Sequence, residues 1–321
     1  MPRLSFVHTA IKTTSDATSI YADNLLEVPR LMVEWNTAFP KIRLFFAVKS
    51  NSDLRLIRTL HENGVGYDCA SPLDIDLVRS LGAKNDDILC ANPIKLESNI
   101  RDATAKGITQ MSFDRINELH KIRANANGPF GAEPQDWSAL FAESKALGLH
   151  TGGICFHLDS GCMNATAYAQ TITQAADCIE LASTYGFSID ALNMGGGFAS
   201  PLNTDVVQAI NETIDDKIDP SIRVIAEPGR FFAEIICTVL LANAFEVWEI
   251  CMIISSMRLV AAPVTLFPSN IYGATCHCGD IVSKDVLLPQ YNVGDWLEFP
   301  RMGVTHTCLQ PSSMAWILKI A

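Results

Sequence analysis

The sequence predicts an α/β protein in which a (β/α)8-type barrel, with seven strands recognisable, is followed by an antiparallel β domain. Three observations predict it. From Arg43 to Arg230, short apolar runs alternate with longer stretches of helical periodicity, the pattern of parallel βα units. The ends of successive apolar runs are unusually polar. After Arg230 the pattern changes to apolar runs punctuated by Pro and Gly, closing on Val293-Gly-Asp-Trp-Leu-Glu-Phe.

In chain order the expected strands are Leu44–Lys49, Gly66–Cys69, Asp87–Cys90, Gln110–Phe113, Gly152–His157, Ala191–Met194 and Arg223–Ala226. Helical stretches fall between them, among them Ser71–Ser80, Glu97–Lys106, Arg115–Arg123, Gln135–Leu147 and Ala165–Tyr185. A closed barrel needs an eighth strand. The expected organisation is a segment 1–24 that joins the β domain, a barrel over 25–230 and a β domain over 231–321.

At 321 residues the chain exceeds one ordinary core, so a barrel with a smaller second domain suits its length. With 48% hydrophobic and 18% charged residues it has the composition of a folded protein. A net charge of −11 opposes binding to phosphate backbones and anionic membranes, which leaves small-molecule chemistry and no nucleic-acid or membrane partner. The ten cysteines are scattered without a repeated framework, which fits free thiols in a reducing cytoplasm. Residues 1–12 show no secretory signal. The apolar tract from Phe231 to Ile254 is broken by Glu234, Asn243, Glu246 and Glu249, so a buried strand or helix is expected there rather than a membrane span.

Barrel enzymes build their sites from the loops that follow the strands. The polar strand ends here are Lys49, Asp68, Asn92, Asp114, His157, the glycines Gly195, Gly196 and Gly197, and Glu227 with Arg230. Lys49 closes the run Leu-Phe-Phe-Ala-Val-Lys, where desolvation favours the neutral amine that attacks an aldehyde; a lysine snorkelling from a strand end reads the same way. A glycine run exposes backbone N–H groups that suit a phosphate, and it also describes an ordinary loop. Glu227 heads Glu-Pro-Gly-Arg at the last barrel strand, where a carboxylate beside a pyridine nitrogen would keep that nitrogen protonated. His157 could stack on a planar ring or sit in the core. Cys276-His277-Cys278, with His306 and Cys308, suggests zinc by composition, but adjacent Cys and His converge poorly on one tetrahedral ion. No metal is expected.

Ala47-Val-Lys-Ser-Asn, Tyr67-Asp-Cys-Ala-Ser, Ala91-Asn-Pro, Ser112-Phe-Asp, Phe156-His with Ser160-Gly-Cys, Met194-Gly-Gly-Gly-Phe, Ala226-Glu-Pro-Gly-Arg and Val293-Gly-Asp-Trp occur in the order seen in eukaryotic ornithine decarboxylases. The chain resembles that family of pyridoxal-phosphate-dependent decarboxylases over most of its length. The resemblance implies that Lys49 holds the cofactor aldehyde, His157 stacks on the ring and Glu227 pairs with the pyridine nitrogen. It also implies that Asp68 supports the lysine side, that Ser160, Gly196, Gly197 and Arg230 hold the phosphate, and that Gly195 and Gly229 belong to the cofactor-binding residues. Cys276 falls where the family places a cysteine that reaches into the partner's site of a homodimer and reprotonates the carbanion. The implied reaction converts L-ornithine to putrescine in polyamine biosynthesis. Two alternatives are a regulatory binding protein like the family's antizyme inhibitors, with an antizyme-like partner, and a decarboxylase of another basic amino acid or diaminopimelate.

Three departures qualify the match. Between Arg123 and Phe130 the family has a barrel strand ending in an arginine, and here it is absent. The expected consequence is a barrel that opens, re-pairs across the gap or recruits the 123–130 segment. From Trp248 to Leu266 no acidic, tyrosine-containing substrate motif is found. His277 stands where the family has an aspartate facing the substrate's distal amine, and Thr305 where a phosphate-binding tyrosine is expected.

Overall fold

The computed structural model describes residues 19–124, 134–158, 160–242, 258–259, 266–272, 281–289, 296–300 and 313–319. The chain divides into two compact units, residues 1–27 with 233–306 and residues 28–232 with 307–321.

In the smaller unit, β1 (Ser19–Asp23) pairs antiparallel with a later strand, Cys237–Ala242, from Ser19 opposite Leu241 to Asp23 opposite Cys237. That strand also pairs with Trp296–Pro300, which in turn pairs with the short strand Arg258–Leu259. Leu266–Tyr272 and Ile281–Pro289 form a separate antiparallel pair. The apolar tract that begins at Phe231 is the end of a short helix, Arg230–Ile236, running directly into the strand Cys237–Ala242. No helix among the described residues is long and apolar enough to cross a membrane.

The larger unit is built on β2 (Ile42–Ala47), β3 (Gly66–Asp68), β4 (Ile88–Leu89), β5 (Gln110–Phe113), β6 (His150–His157), β7 (Ala191–Asn193) and β8 (Arg223–Ala226). All seven lie within two residues of their expected bounds. β2 starts and stops two residues early, at Ile42 and Ala47, so that Lys49 stands on a single 3-10 turn, Val48–Ser50. The pairing β4-β3-β2-β8-β7-β6 is parallel throughout. Helices cover the outer face, and their limits follow local chemistry. Ser71 caps Pro72–Ser80 with a reciprocal bond to Asp74, and Asn164 and Asn203 cap Ala165–Thr184 and Thr204–Lys217.

The vacancy between β5 and β6 is filled, in a way that the sequence does not announce. Residues 313–319 form a strand, here β9, that runs antiparallel between them. It pairs from Trp316 opposite Phe113 to Lys319 opposite Gln110 on one side, and from Ser313 opposite His157 to Lys319 opposite His150 on the other. This corrects two expectations. The gap is not open, since residues 313–319 occupy it, and those residues belong to the barrel sheet rather than to the β domain. The physical cause is plain: two adjacent strand edges each carry a row of unpaired backbone groups, and each group left buried and unpaired costs about 1–3 kcal/mol. On the far side the ring is closed by Cys90 N–H donating to Gln110 O at 2.9 Å and Ser112 N–H donating to Cys90 O at 3.1 Å.

A buried ion pair braces that closure. Lys95 Nζ lies 2.8 Å from Glu118 Oε1, with both side chains at most 3% exposed, and it also donates to Ser112 O at 2.6 Å. A buried pair is tolerable when its remaining hydrogen-bonding capacity is met, as it is here.

Deleting residues 313–319 is expected to lower the melting temperature by about 8 °C or more, because several backbone groups lose their partners. Amide exchange at residues 111–113 and 153–156 should quicken together. Unchanged melting and exchange would mean that β5 and β6 are not held by this strand.

Candidate active site

The mouth of the barrel collects the polar residues singled out above. In register, Ala47 on β2 stands opposite Asp68 on β3, and the 3-10 turn after Ala47 brings Lys49 back over the end of β3. Lys49 Nζ lies 3.2 Å from Asp68 Oδ2, with the Lys49 side chain 40% exposed and Asp68 only 1%. The second oxygen, Asp68 Oδ1, is buried with no partner among the described residues. The Asp68 carboxylate holds the Lys49 ammonium above its usual range, outweighing the opposite pull of burial, and Glu227 adds to the effect. The expectation that desolvation would favour a neutral Lys49 is thereby corrected: a fixed carboxylate dominates the burial.

Glu227 follows β8 and is 9% exposed. Its carboxyl is pushed up to about 8, first by burial and then by Asp68, while Lys49 and a hydrogen bond from Asn193 pull it down. Asn193 Nδ2 donates to Glu227 Oε1 at 2.5 Å, and Asn193 Oδ1 accepts from the Gly195 N–H at 2.8 Å. Asn193 was not among the residues singled out in the sequence. Its signal was present, as a polar residue inside the otherwise apolar run Ala-Leu-Asn-Met.

The glycine run is shaped by close approaches. Gly195 adopts φ +63°, and a Cβ there would fall 2.5 Å from Phe156 O; at Gly196 a Cβ would come within 3.0 Å of Glu227 O and 3.5 Å of the His157 ring. Gly161 N–H donates to Gly197 O at 2.9 Å, and Arg230 Nε donates to Ser160 Oγ at 3.0 Å. A Cβ at Gly229 would fall 2.7 Å from the Ser50 side chain. Phe198, next after the glycines, anchors the loop edge-on to Trp35, with ring centroids 5.0 Å apart.

Lys49, Asp68, His157, Ser160, Gly195, Gly196, Gly197, Glu227, Gly229 and Arg230 therefore meet at one end of the barrel. Cys276, His277, Thr305 and the 248–257 stretch lie outside the described residues. No cluster of metal-ligating side chains occurs among the described residues.

The arrangement has what pyridoxal phosphate requires of a protein: an amine beside a buried carboxylate, a second buried carboxyl group, and a side-chain-free cradle next to an arginine. Fold and site define a pyridoxal-phosphate-dependent decarboxylase. The pyridoxal-binding domain of the pyridoxal-dependent decarboxylases matches residues 25–129 and 124–234, in two pieces that meet where the eighth βα strand is missing; their C-terminal sheet domain matches 244–303. The chain belongs to this family, and it is an amino-acid decarboxylase with pyridoxal 5'-phosphate as cofactor.

It is 32% identical to the chloroplastic ornithine decarboxylase of Nicotiana glauca, over 91% of this chain and 80% of that protein. The aligned length of 349 exceeds the 321 residues here, so the relative carries residues that this chain lacks. Antizyme inhibitor 2 of Xenopus laevis is 28% identical over 91% of this chain and 78% of its own. Among solved structures, the arginine decarboxylase of Paramecium bursaria Chlorella virus bound to agmatine superposes with a TM-score of 0.87 at 26% identity, covering 94% of each chain.

A carboxyl whose pKa is raised on folding favours the folded state below its ordinary pKa near 4.5, and that contribution is lost as pH rises toward about 8. Glu227→Gln removes the dependence. Without added cofactor, the variant should melt at least about 3 °C above the parent at pH 8.5, equivalent to roughly 1 kcal/mol, with the difference shrinking toward pH 5. A constant difference across that range would contradict the burial of an ionisable group here.

Proposed function

We propose that this chain decarboxylates L-ornithine to putrescine, a step of polyamine biosynthesis in the cytoplasm, with Lys49 holding the cofactor's aldehyde. The observation that carries this reading is the cluster in which Lys49 Nζ lies 3.2 Å from the buried Asp68, with Glu227 adding to the effect on Lys49. When bound, the cofactor supplies a sink for the electron pair left by the departing carbon dioxide. The chain's own groups prepare and complete that event. Asp68 is positioned to take the proton that Lys49 Nζ sheds before the amine can bond to an aldehyde. With the cofactor bound, Glu227 would keep the ring nitrogen protonated and His157 would pack on the ring. Ser160, Gly195, Gly196, Gly197, Gly229 and Arg230 would hold the phosphate through backbone N–H groups and a guanidinium. Cys276 of the partner subunit returns a proton to the product in a homodimer.

Ornithine is supported by the Nicotiana relative and by the ordered motifs. His277, standing where the family has an aspartate, supports a second reading in which another basic amino acid is the substrate.

Purified protein with added pyridoxal phosphate should absorb in the visible region, and Lys49→Ala should abolish both that band and turnover. Carbon dioxide release should be measured from ornithine, lysine and arginine in parallel. Preference for lysine or arginine establishes the second reading, while a visible band without turnover of any of the three points to an antizyme-inhibitor-like binder. Mixing Lys49→Ala chains with Cys276→Ala chains should restore part of the activity, at most about one site in four; no restoration would put both residues in one chain's site.

A further inference from the structure

We propose that Asn193 is a positioning residue that joins the Glu227 carboxylate to the first glycine of the phosphate cradle, so that the ring end and the phosphate end of the cofactor are held in one fixed register. The inference rests on the reading that Glu227 serves the ring nitrogen and that Gly195–Gly197 serve the phosphate.

Asn193 ends β7, flanked in register by Cys155 on β6 and Ile225 on β8, and it is 2% exposed. Three hydrogen bonds form a closed loop through it. Asn193 Nδ2 donates to Glu227 Oε1 at 2.5 Å, Gly195 N–H donates to Asn193 Oδ1 at 2.8 Å, and Glu227 N–H donates to Gly195 O at 2.7 Å. The amide's orientation is set by Gly195, whose backbone N–H can only donate and therefore takes the amide oxygen, which leaves Nδ2 to face Glu227. Gly195 can offer its N–H this way because its backbone lies at φ +63°, in a turn where a Cβ would collide with Phe156 O.

One donor and one acceptor on a short planar side chain are needed at this position. Alanine supplies neither. Aspartate would keep the acceptor for Gly195 but turn a second carboxylate on Glu227, and two carboxylates that close hold one proton between them. A proton taken up at low pH would restore the missing donor. Asn193→Asp is therefore a variant whose defect is reversible by pH, which a residue that merely fills space would not produce.

The test is titration of the full chain with pyridoxal 5'-phosphate at pH 5.5 and 8.5, followed by absorbance and intrinsic fluorescence, with melting curves of the cofactor-free proteins alongside. Relative to the parent at each pH, Asn193→Asp should bind about tenfold or more weakly at pH 8.5 and recover most of that loss at pH 5.5. Asn193→Ala should be weakened by a similar factor at both. If Asn193→Ala does not fold, the two-pH comparison on Asn193→Asp alone decides. Glu227→Gln serves as the reference. If it weakens binding while Asn193→Asp binds like the parent at both pH values, the positioning role is overturned and the cofactor reading stands. If Asn193→Asp only lowers the melting temperature, with the parent's pH dependence of binding, its role is structural and the inference again fails. Should Glu227→Gln itself bind like the parent, the assignment of Glu227 to the ring falls first.

Discussion

The site depends on one carboxylate, Asp68, which is 1% exposed and has only one of its oxygens paired among the described residues. Its charge raises Lys49 and adds to the larger rise that burial gives Glu227, so one group acts on both the amine and the acid. A carboxylate so placed is costly unless it is compensated, and Lys49 compensates half of it.

That electrostatic arrangement is possible because parallel strands deliver side chains to one level. Ala47, Asp68 and Leu89 are successive partners across β2, β3 and β4, and Cys155, Asn193 and Ile225 across β6, β7 and β8. Residues distant in sequence therefore emerge side by side. The aromatic packing of Trp35 on Phe39, Phe198 and Phe231 buttresses the outside of the glycine loop, so the cradle is backed by a packed wall rather than by solvent.

Much of this was legible in the sequence. Strand-ending polar residues located the mouth, because a βα pattern repeats one direction of travel and its strand ends coincide in space. What escaped was whatever depended on partners. Lys49 looked neutral because an apolar run predicts desolvation, whereas its state is governed by a residue 19 positions away. Asn193 drew no reading of its own from the sequence, because its two bonds reach residues whose proximity only the fold reveals. The Lys95–Glu118 pair was invisible, since a lysine in a loop and a glutamate in a helical stretch both read as surface. Ser313-Met-Ala-Trp-Ile-Leu-Lys reads as a strand in any sheet, and local pattern does not specify which edges it joins.

The position of that last strand bears on how the molecule is made. Ile317 lies between Ser112 and Gly153, so the ring has a seam whose third member is synthesised long after the other two. Until it emerges from the ribosome, β5 and β6 present bare edges, the kind of surface that pairs with other chains. Sequence-distant pairings of this sort slow folding, because the loop between them must close first. The nascent barrel thus passes through an interval in which two strand edges stand open to other chains.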